Sequence, residues 1–453
     1  MSKIKNKFSV KTKIFPKVDF VLYLLGIMLL FGNIAEAQVW SLQQCIDTAQ
    51  VYNKNLKIDR NNVSISQQKQ METKANLIPK ISLGADYRYF NDLPYQLMPQ
   101  SAFGGPEGQF KETQFGVPHN INANIQLSMP LYNPQIYGAI RTTKIAQEIS
   151  EIQYKKTEEQ IFFEISNLYY NVQILQHQLA FVDSNLVNTA KLLKNMQLLQ
   201  NQLMVTGNDV SKVQLQKEQL MTQHKLIASN LEQVLNTLKF SMGIPFSQNI
   251  QVEPDIRYQT SKIYTKFPSV DFQLVGAQNR LLTSELNSLK SSRLPSVSLM
   301  ASYGQTGFGY DEKPNDFLKF FPNSFAGIQI SVPLFNGTVT KRKINQKNIE
   351  IQNNTLKQDL VAEQNDMQIE NAMRQRLVTQ QTISNTTDQI DLAKKVYQQT
   401  VLLQREGTAT LTDILVADNS LREAQQNYIS AIIDYLKADL ELKKLTGNIS
   451  FKN

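Results

Sequence analysis

Ile125-Gln126-Leu127-Ser128-Met129-Pro130-Leu131-Tyr132-Asn133 returns further along the chain as Ile328-Gln329-Ile330-Ser331-Val332-Pro333-Leu334-Phe335-Asn336. Upstream of each copy, Leu77-Ile78-Pro79-Lys80-Ile81-Ser82-Leu83 has its own counterpart in Leu294-Pro295-Ser296-Val297-Ser298-Leu299. The same parts in the same order at offsets of roughly 200 residues mean a duplication. Each half reads helix, strand, loop, strand, very long helix, tight turn, returning helix. The first repeat covers 38–243, a linking segment 244–267, and the second repeat 268–453.

The quoted stretches alternate. Ile81, Leu83, Ala85, Tyr87 and Tyr89 interleave with Ser82, Gly84, Asp86 and Arg88, and Ile121 to Met129 alternates with Asn, Gln and Ser. Val297, Leu299, Ala301 and Tyr303, then Ala326, Ile328, Ile330 and Val332, repeat the pattern. Strands are expected over 80–90, 119–130, 295–304 and 324–333. A period of two over about ten residues, with aromatics near strand ends, is the pattern of a membrane-spanning β-strand. A soluble hairpin with one wet face looks the same locally. The Gly/Pro-rich connections 91–118 and 304–322 suit mobile loops on the outer side.

Between these strands lie stretches with neither glycine nor proline: 38–78, 139–206, 208–242, 338–406 and 408–446. Rich in Gln, Leu, Lys and Glu, they read as helix. Two of them would be about 100 Å long at 1.5 Å per residue. Helices of that length need partners along their whole extent. Ile414, Leu421, Tyr428, Tyr435 and Leu442 recur every seventh residue, with Ala417, Ala424, Ala431, Ala438 and Leu445 three places on. That is a coiled-coil seam. Val213, Leu220, Ile227 and Val234 repeat it in the first half. Gly207 and Gly407 interrupt the two long regions, so reversals with a left-handed cap are expected there.

The 453 residues carry a net charge of +8, but six lysines sit in 1–37 against Asp19 and Glu36. That segment runs from a lysine-rich start through the apolar Val21 to Phe31 to Ala35-Glu36-Ala37, the layout of a cleaved export signal. An uncleaved anchor would need about 20 apolar residues. Without 1–37 the net charge is +4, too weak a bias for nucleic-acid binding. A single cysteine, Cys45, excludes an internal disulfide framework and a Cys-based zinc site. His119, His177 and His224 are scattered, without ligand spacing, and no cofactor motif, nucleophile motif or catalytic carboxylate pair stands out. Trp40 and Cys45 are expected to pack the first helix, and Lys341-Arg342-Lys343 to form a solvated helix face or to touch phospholipid headgroups.

Four strands cannot close a spanning barrel, whose smallest known form has eight. Open sheet edges in lipid would leave backbone groups unsatisfied at several kcal/mol each. The chain is therefore expected to share a barrel with copies of itself.

Taken together, these residues resemble the TolC-like outer-membrane efflux protein family, the outer-membrane factors of tripartite efflux and type I secretion systems. Trp40-Ser41-Leu42-Gln43-Gln44-Cys45-Ile46-Asp47-Thr48-Ala49, the two quoted pairs and Gly407-Thr408-Ala409-Thr410-Leu411-Thr412-Asp413-Ile414-Leu415-Val416-Ala417 carry the resemblance. It implies a mainly α chain with a membrane β-barrel portion: a homotrimer with a twelve-stranded barrel in the outer membrane of a Gram-negative bacterium, a helical tunnel in the periplasm, and an equatorial region near 244–267 and the C-terminal residues. It also implies a non-enzymatic channel, joined through a periplasmic adaptor (membrane fusion) protein to an inner-membrane transporter of RND, ABC or MFS type. By the same resemblance Val205, Thr206, Gly207, Asn208, Arg405, Glu406, Gly407 and Thr408 are the adaptor-contacting tip. Asp413 is the candidate entrance gate, where three carboxylates of a trimer would raise one another's pKa. The sequence departs from the family pattern at Val416, where a second aspartate can stand, and at Ala409, where an arginine can lock the closed state. The competing reading is a periplasmic coiled-coil adaptor or scaffold without a pore. Adaptors, however, carry one hairpin between soluble β-domains rather than two hairpins and four alternating strands.

Overall fold

The computed structural model describes residues 39–114, 116–256, 263–310 and 319–449. The expected export signal over 1–37 lies outside them. Seven helices are described: α1 (Leu42–Tyr52), α2 (Lys54–Ala75), α3 (Pro134–Asn201), α4 (Gly207–Met242), α5 (Val270–Ser291), α6 (Val339–Arg405) and α7 (Leu411–Leu445). The described strands are β1 (Val39–Trp40), β2 (Lys80–Tyr89), β3 (Tyr95–Pro99), β4 (Phe110–Gln114), β5 (His119–Tyr132), β6 (Gln251–Val252), β7 (Ser296–Gly309) and β8 (Phe320–Ser331).

α3 and α6 have 68 and 67 residues, so each extends about 100 Å. Neither is stable alone; each is held by neighbours. α2 and α5 pack along the start of α3, with α5 also on α6. Further down, α4 folds back on α3, α7 folds back on α6, and α7 touches α3. The seam read from the sequence is what these helices bury. Ile414, Leu421, Tyr435 and Leu442 and the whole Ala417-to-Leu445 row are buried, as are Val213, Leu220 and Ile227; Tyr428 and Val234 are half-buried.

The breaker-free stretch 38–78 is two helices, not one. Asn53 ends α1 and starts α2, its Oδ1 accepting from the N–H of Asn55 and Leu56 and its Nδ2 donating to the Ser241 carbonyl at 2.7 Å. Gly243 ends α4 at this crossing with φ +76°, and a Cβ there would stand 2.5 Å from the Tyr52 carbonyl oxygen. Only glycine allows both the left-handed turn and this backbone contact. Around the crossing lies the largest apolar core, including Trp40, Cys45, Ile46, Phe162, Tyr169 and Met242. β1 pairs with β6 in parallel, and the Tyr169 hydroxyl donates to the Trp40 carbonyl at 3.1 Å. Burial pushes the Cys45 thiol up to about 12. Segment 263–267 ties to the C-terminal residues through the Phe267 N–H on Thr446 and Asn448 Nδ2 on Thr265.

β2, β5, β7 and β8 form one antiparallel sheet in that order. The connection 91–118, expected as a loop, holds structure of its own: β3 pairs with β4 around a short 3-10 turn at Gln100–Phe103. Its Gly and Pro residues concentrate at and beyond the turn, and the paired arms are only five residues each. Residues 304–309 and 320–322, also expected as loop, prolong β7 and β8, while 311–318 lie outside the described residues.

Candidate channel wall and hairpin tips

Cross-strand register decides which side chains share a face of the main sheet. Leu83, Ile125 and Tyr303 are opposite one another in turn, as are Ile81, Leu127, Ala301 and Ala326. One face is therefore largely apolar, with Ser324 ending the first of these rows at the edge strand. It is also bare: Ile81 is 70% exposed, Leu83 76%, Ile328 64% and Ile330 65%. On the other face a polar ladder crosses the strands. Asn122 donates to Asp86, Thr306 to Asn122 and Asn323 to Thr306, at 3.3 to 3.4 Å. Phe321 and Phe325 also lie on that face of the edge strand β8, so it is not uniformly polar. Among the described residues β2 and β8 each pair with one neighbour, leaving one line of backbone groups open at each edge.

At the far end of the helices both chain reversals use the same construction, but not where the glycines are. After α6, Gly407 takes φ +76°, and the Thr408 N–H reaches back to the Leu403 carbonyl at 2.9 Å. After α3 the left-handed residue is Leu203, φ +60°, and the Met204 N–H reaches back to Leu199 at 2.9 Å. Gly207 is not a left-handed cap. It is the first residue of α4, aligned with Leu411 rather than with Gly407. The expectation of two equivalent glycine turns is corrected here: the first turn pays the left-handed cost with an exposed leucine instead.

The returning helices begin identically. The Thr206 Oγ1 accepts from the Asp209 N–H while Asp209 accepts from the Thr206 N–H and hydroxyl; Thr410 and Asp413 do the same. These are reciprocal capping boxes. Asp413 is exposed, and the hydrogen bonds from Thr410 lower its pKa below the usual carboxylate range, as those from Thr206 do for Asp209. Within one chain Asp413 is thus a helix cap, shifted downward. Val416 beyond it is 60% exposed.

The two tips stand side by side. Leu411 packs on Leu193, Met196 and Val213 of the first hairpin, with Val205 and Val210 around them. A recess of about 610 Å³ between the tips is bordered by Val205, Arg405, Gly407 and Ala409. Thr206, Gly207, Asn208, Glu406 and Thr408 are exposed nearby.

One inter-hairpin feature has no counterpart in the sequence reading. Asp418 on α7 is 5% exposed, accepts from Gln216 Nε2 of α4 at 2.5 Å and pairs with Arg422. Desolvation raises its pKa against the opposing effect of Arg422 and Gln216. Asn185 of α3 donates to Gln425 of α7 at 3.3 Å above it. The signal was present but faint: Gln216 occupies the place in the α4 seam between Val213 and Leu220. The histidines are apart. His119 lies against Tyr87 and Tyr89, His177 Nε2 is 3.0 Å from the Pro254 carbonyl, and His224 is 3.2 Å from Asp183.

The chain thus combines an open four-stranded sheet, largely apolar on one face, with two helices about 100 Å long whose far halves are paired by shorter returning helices. Residues 269–448 match the family described as "Outer membrane efflux protein". Outer membrane protein TolC of Salmonella enteritidis is 20% identical over 449 residues, covering 93% of this chain and 84% of that protein. The solved structure of outer membrane protein VceC from Vibrio cholerae shares the fold with a TM-score of 0.70 at 16% identity, covering 90% of this chain and 96% of that one. The CmeC outer membrane channel from Campylobacter jejuni gives 0.70 at 14% identity, covering 91% and 87%. Over its second half the chain matches that family, and over nearly its whole length it is similar to TolC and shares the fold of these outer-membrane channels.

Proposed function

We propose that three copies close their sheets into one twelve-stranded barrel in the outer membrane of a Gram-negative bacterium, with the helices forming a periplasmic tunnel. The assembly is the passive exit duct of a tripartite efflux pump or type I secretion system, carrying small molecules or proteins from the cell to the exterior. The observation that carries this reading is the pair of open edges bordering an exposed apolar face. In lipid every unpaired edge group costs several kcal/mol. β2 and β8 run in opposite directions, so β8 of one copy meets β2 of the next antiparallel, as the other ladders do. The ring satisfies itself.

At the other end, Val205, Thr206, Gly207, Asn208, Arg405, Glu406, Gly407 and Thr408 are proposed to receive the helical hairpin of a periplasmic adaptor, which links the duct to an inner-membrane transporter. All but the half-buried Val205 are exposed at the ends of two adjacent hairpins, which supports this. Asp413 is the candidate gate, its charge directed by the cap it forms.

Extraction of outer membranes into mild detergent should yield a particle of three chains that conducts ions in a planar bilayer. Monomers without conductance would refute the reading. Gly407→Pro forbids φ +76°; it should abolish dye efflux while membrane insertion and trimer yield persist.

A further inference from the structure

Around the base of the sheet, where the long helices leave it, the charge is all of one sign. Segments 73–85, 113–147, 286–310 and 319–349 contain no Asp or Glu. Each runs between a strand base and a helix end. Lys80 opens β2, Arg293 precedes β7, and Lys341, Arg342 and Lys343 lie in the opening turns of α6 just beyond β8; all five are exposed. Glu285 and Glu350, which flank the region in sequence, are both taken by Lys347 at 2.8 and 2.5 Å. Three consecutive cations at the start of a helix also oppose its dipole. Among the described residues no acidic side chain is paired with them.

The two sequence-related junctions differ at this level. In the first, Asn133 caps α3 through Gln135 and Ile136, Pro134 opens the helix, and Leu131 and Tyr132 are each 44% exposed. In the second, glycine replaces that proline. Gly337 and Thr338 take φ +64° and +71°, Asn336 turns to the Thr340 hydroxyl, and the cap makes no side-chain bond. Leu334 and Phe335 are left 92% and 85% exposed. Leu334 continues the even-numbered apolar row Ile328, Ile330, Val332. Beside it, Arg293 and Lys341 border a recess of about 280 Å³.

We propose that this basic collar binds the headgroups of anionic phospholipids in the leaflet on the helix side of the barrel. Leu334 and Phe335 enter the acyl layer while Arg293 and Lys341 to Lys343 hold the phosphate, as basic residues flanking an apolar surface do. The assignment rests on the barrel reading above. A second copy does not supply the counter-charge: the edge it brings alongside β8 begins with Lys80, preceded by Lys74 and Glu72, and is itself net positive.

The test uses the detergent-purified trimer, with phosphatidylglycerol as the probe. Wild type should retain phosphatidylglycerol through purification, counted by mass spectrometry, and should unfold at higher temperature when it is added. Phosphatidylcholine or inorganic phosphate at equal concentration should leave the unfolding temperature unchanged. The variant R293Q/K341Q/R342Q/K343Q should bind phosphatidylglycerol more weakly by at least tenfold and by up to about 600-fold if four contributions of roughly fivefold add fully, and K341R/K343R should behave as wild type. Equal retention by wild type and the neutralised trimer would overturn the proposal, as would a phosphate effect matching that of the lipid. Failure of the wild type to form a membrane-inserted trimer would instead count against the barrel.

Discussion

Asp418→Ala should loosen the hairpin tips while leaving the rest of the molecule intact. The carboxylate is 5% exposed and links α4 to α7 through Gln216. Removing one member of a buried pair costs about 3–5 kcal/mol when the other cannot escape. Arg422 can partly escape, since its side chain is 20% exposed, which lowers that figure. Gln216 cannot: it is 8% exposed and its Oε1 already has no partner, so loss of the Nε2 bond strands the whole amide. A stranded buried group costs about 1–3 kcal/mol. Together these suggest about 3 kcal/mol, confined to the lower hairpins. The loss is local, so the measurement is amide hydrogen exchange resolved by segment. Amides in 211–220 and 413–422 should exchange about 100-fold faster, while 238–242 and 436–445 at the far ends of the same helices stay unchanged. Asp418→Asn, which keeps an acceptor for Gln216, should recover much of the protection. A change under threefold at the tips, or an equal change at the far ends of the helices, would refute the reasoning.

Gly243→Ala combines a left-handed backbone with a Cβ 2.5 Å from the Tyr52 carbonyl oxygen; it should cost more than the 1–2 kcal/mol of the backbone term alone and reduce trimer yield in the membrane. Leu203→Gly relieves the left-handed leucine, which is 94% exposed and has little packing to lose; slower exchange at 199–206, by up to about fivefold, is expected. Thr410→Ala removes the reciprocal cap of α7 and should cost about 1 kcal/mol, read as faster exchange over the first turn only. Glu159 on α3 has its pKa raised to about 7, chiefly by desolvation and also by Asp271. The folded state then holds the proton more tightly than the unfolded chain, so its contribution is greatest below the ordinary carboxylate pKa and is lost as pH rises towards 7. Glu159→Gln should therefore raise the thermal midpoint at pH 8 relative to wild type and leave a smaller difference at pH 4.

Repetition made much of this architecture legible. The Ile414 and Ala417 rows are buried because coiled-coil packing is periodic, and the four strands alternate because a sheet between two media must. Local chemistry without periodicity was harder to read. Asn53 breaks a helix with no glycine or proline, since its side chain satisfies both the new helix start and the Ser241 carbonyl 188 residues away. Leu203 occupies a left-handed position that propensity gives to glycine, so Gly207 drew attention four residues too late. β3 and β4 are too short for their pattern to stand above the surrounding turn residues. At the tips, the Thr-x-x-Asp spacing of both capping boxes was in plain view at 206–209 and 410–413, but their role was masked by the interest of Asp413 as a gate.

The unfinished edges of β2 and β8 have a genetic consequence. If each ring draws three copies from a common pool, a variant that folds and joins but cannot finish its part of the wall spoils its partners' work as well. Equal expression of such a variant with wild type would leave only about one ring in eight wholly sound, so a variant of that kind should act dominantly over a co-expressed wild-type copy.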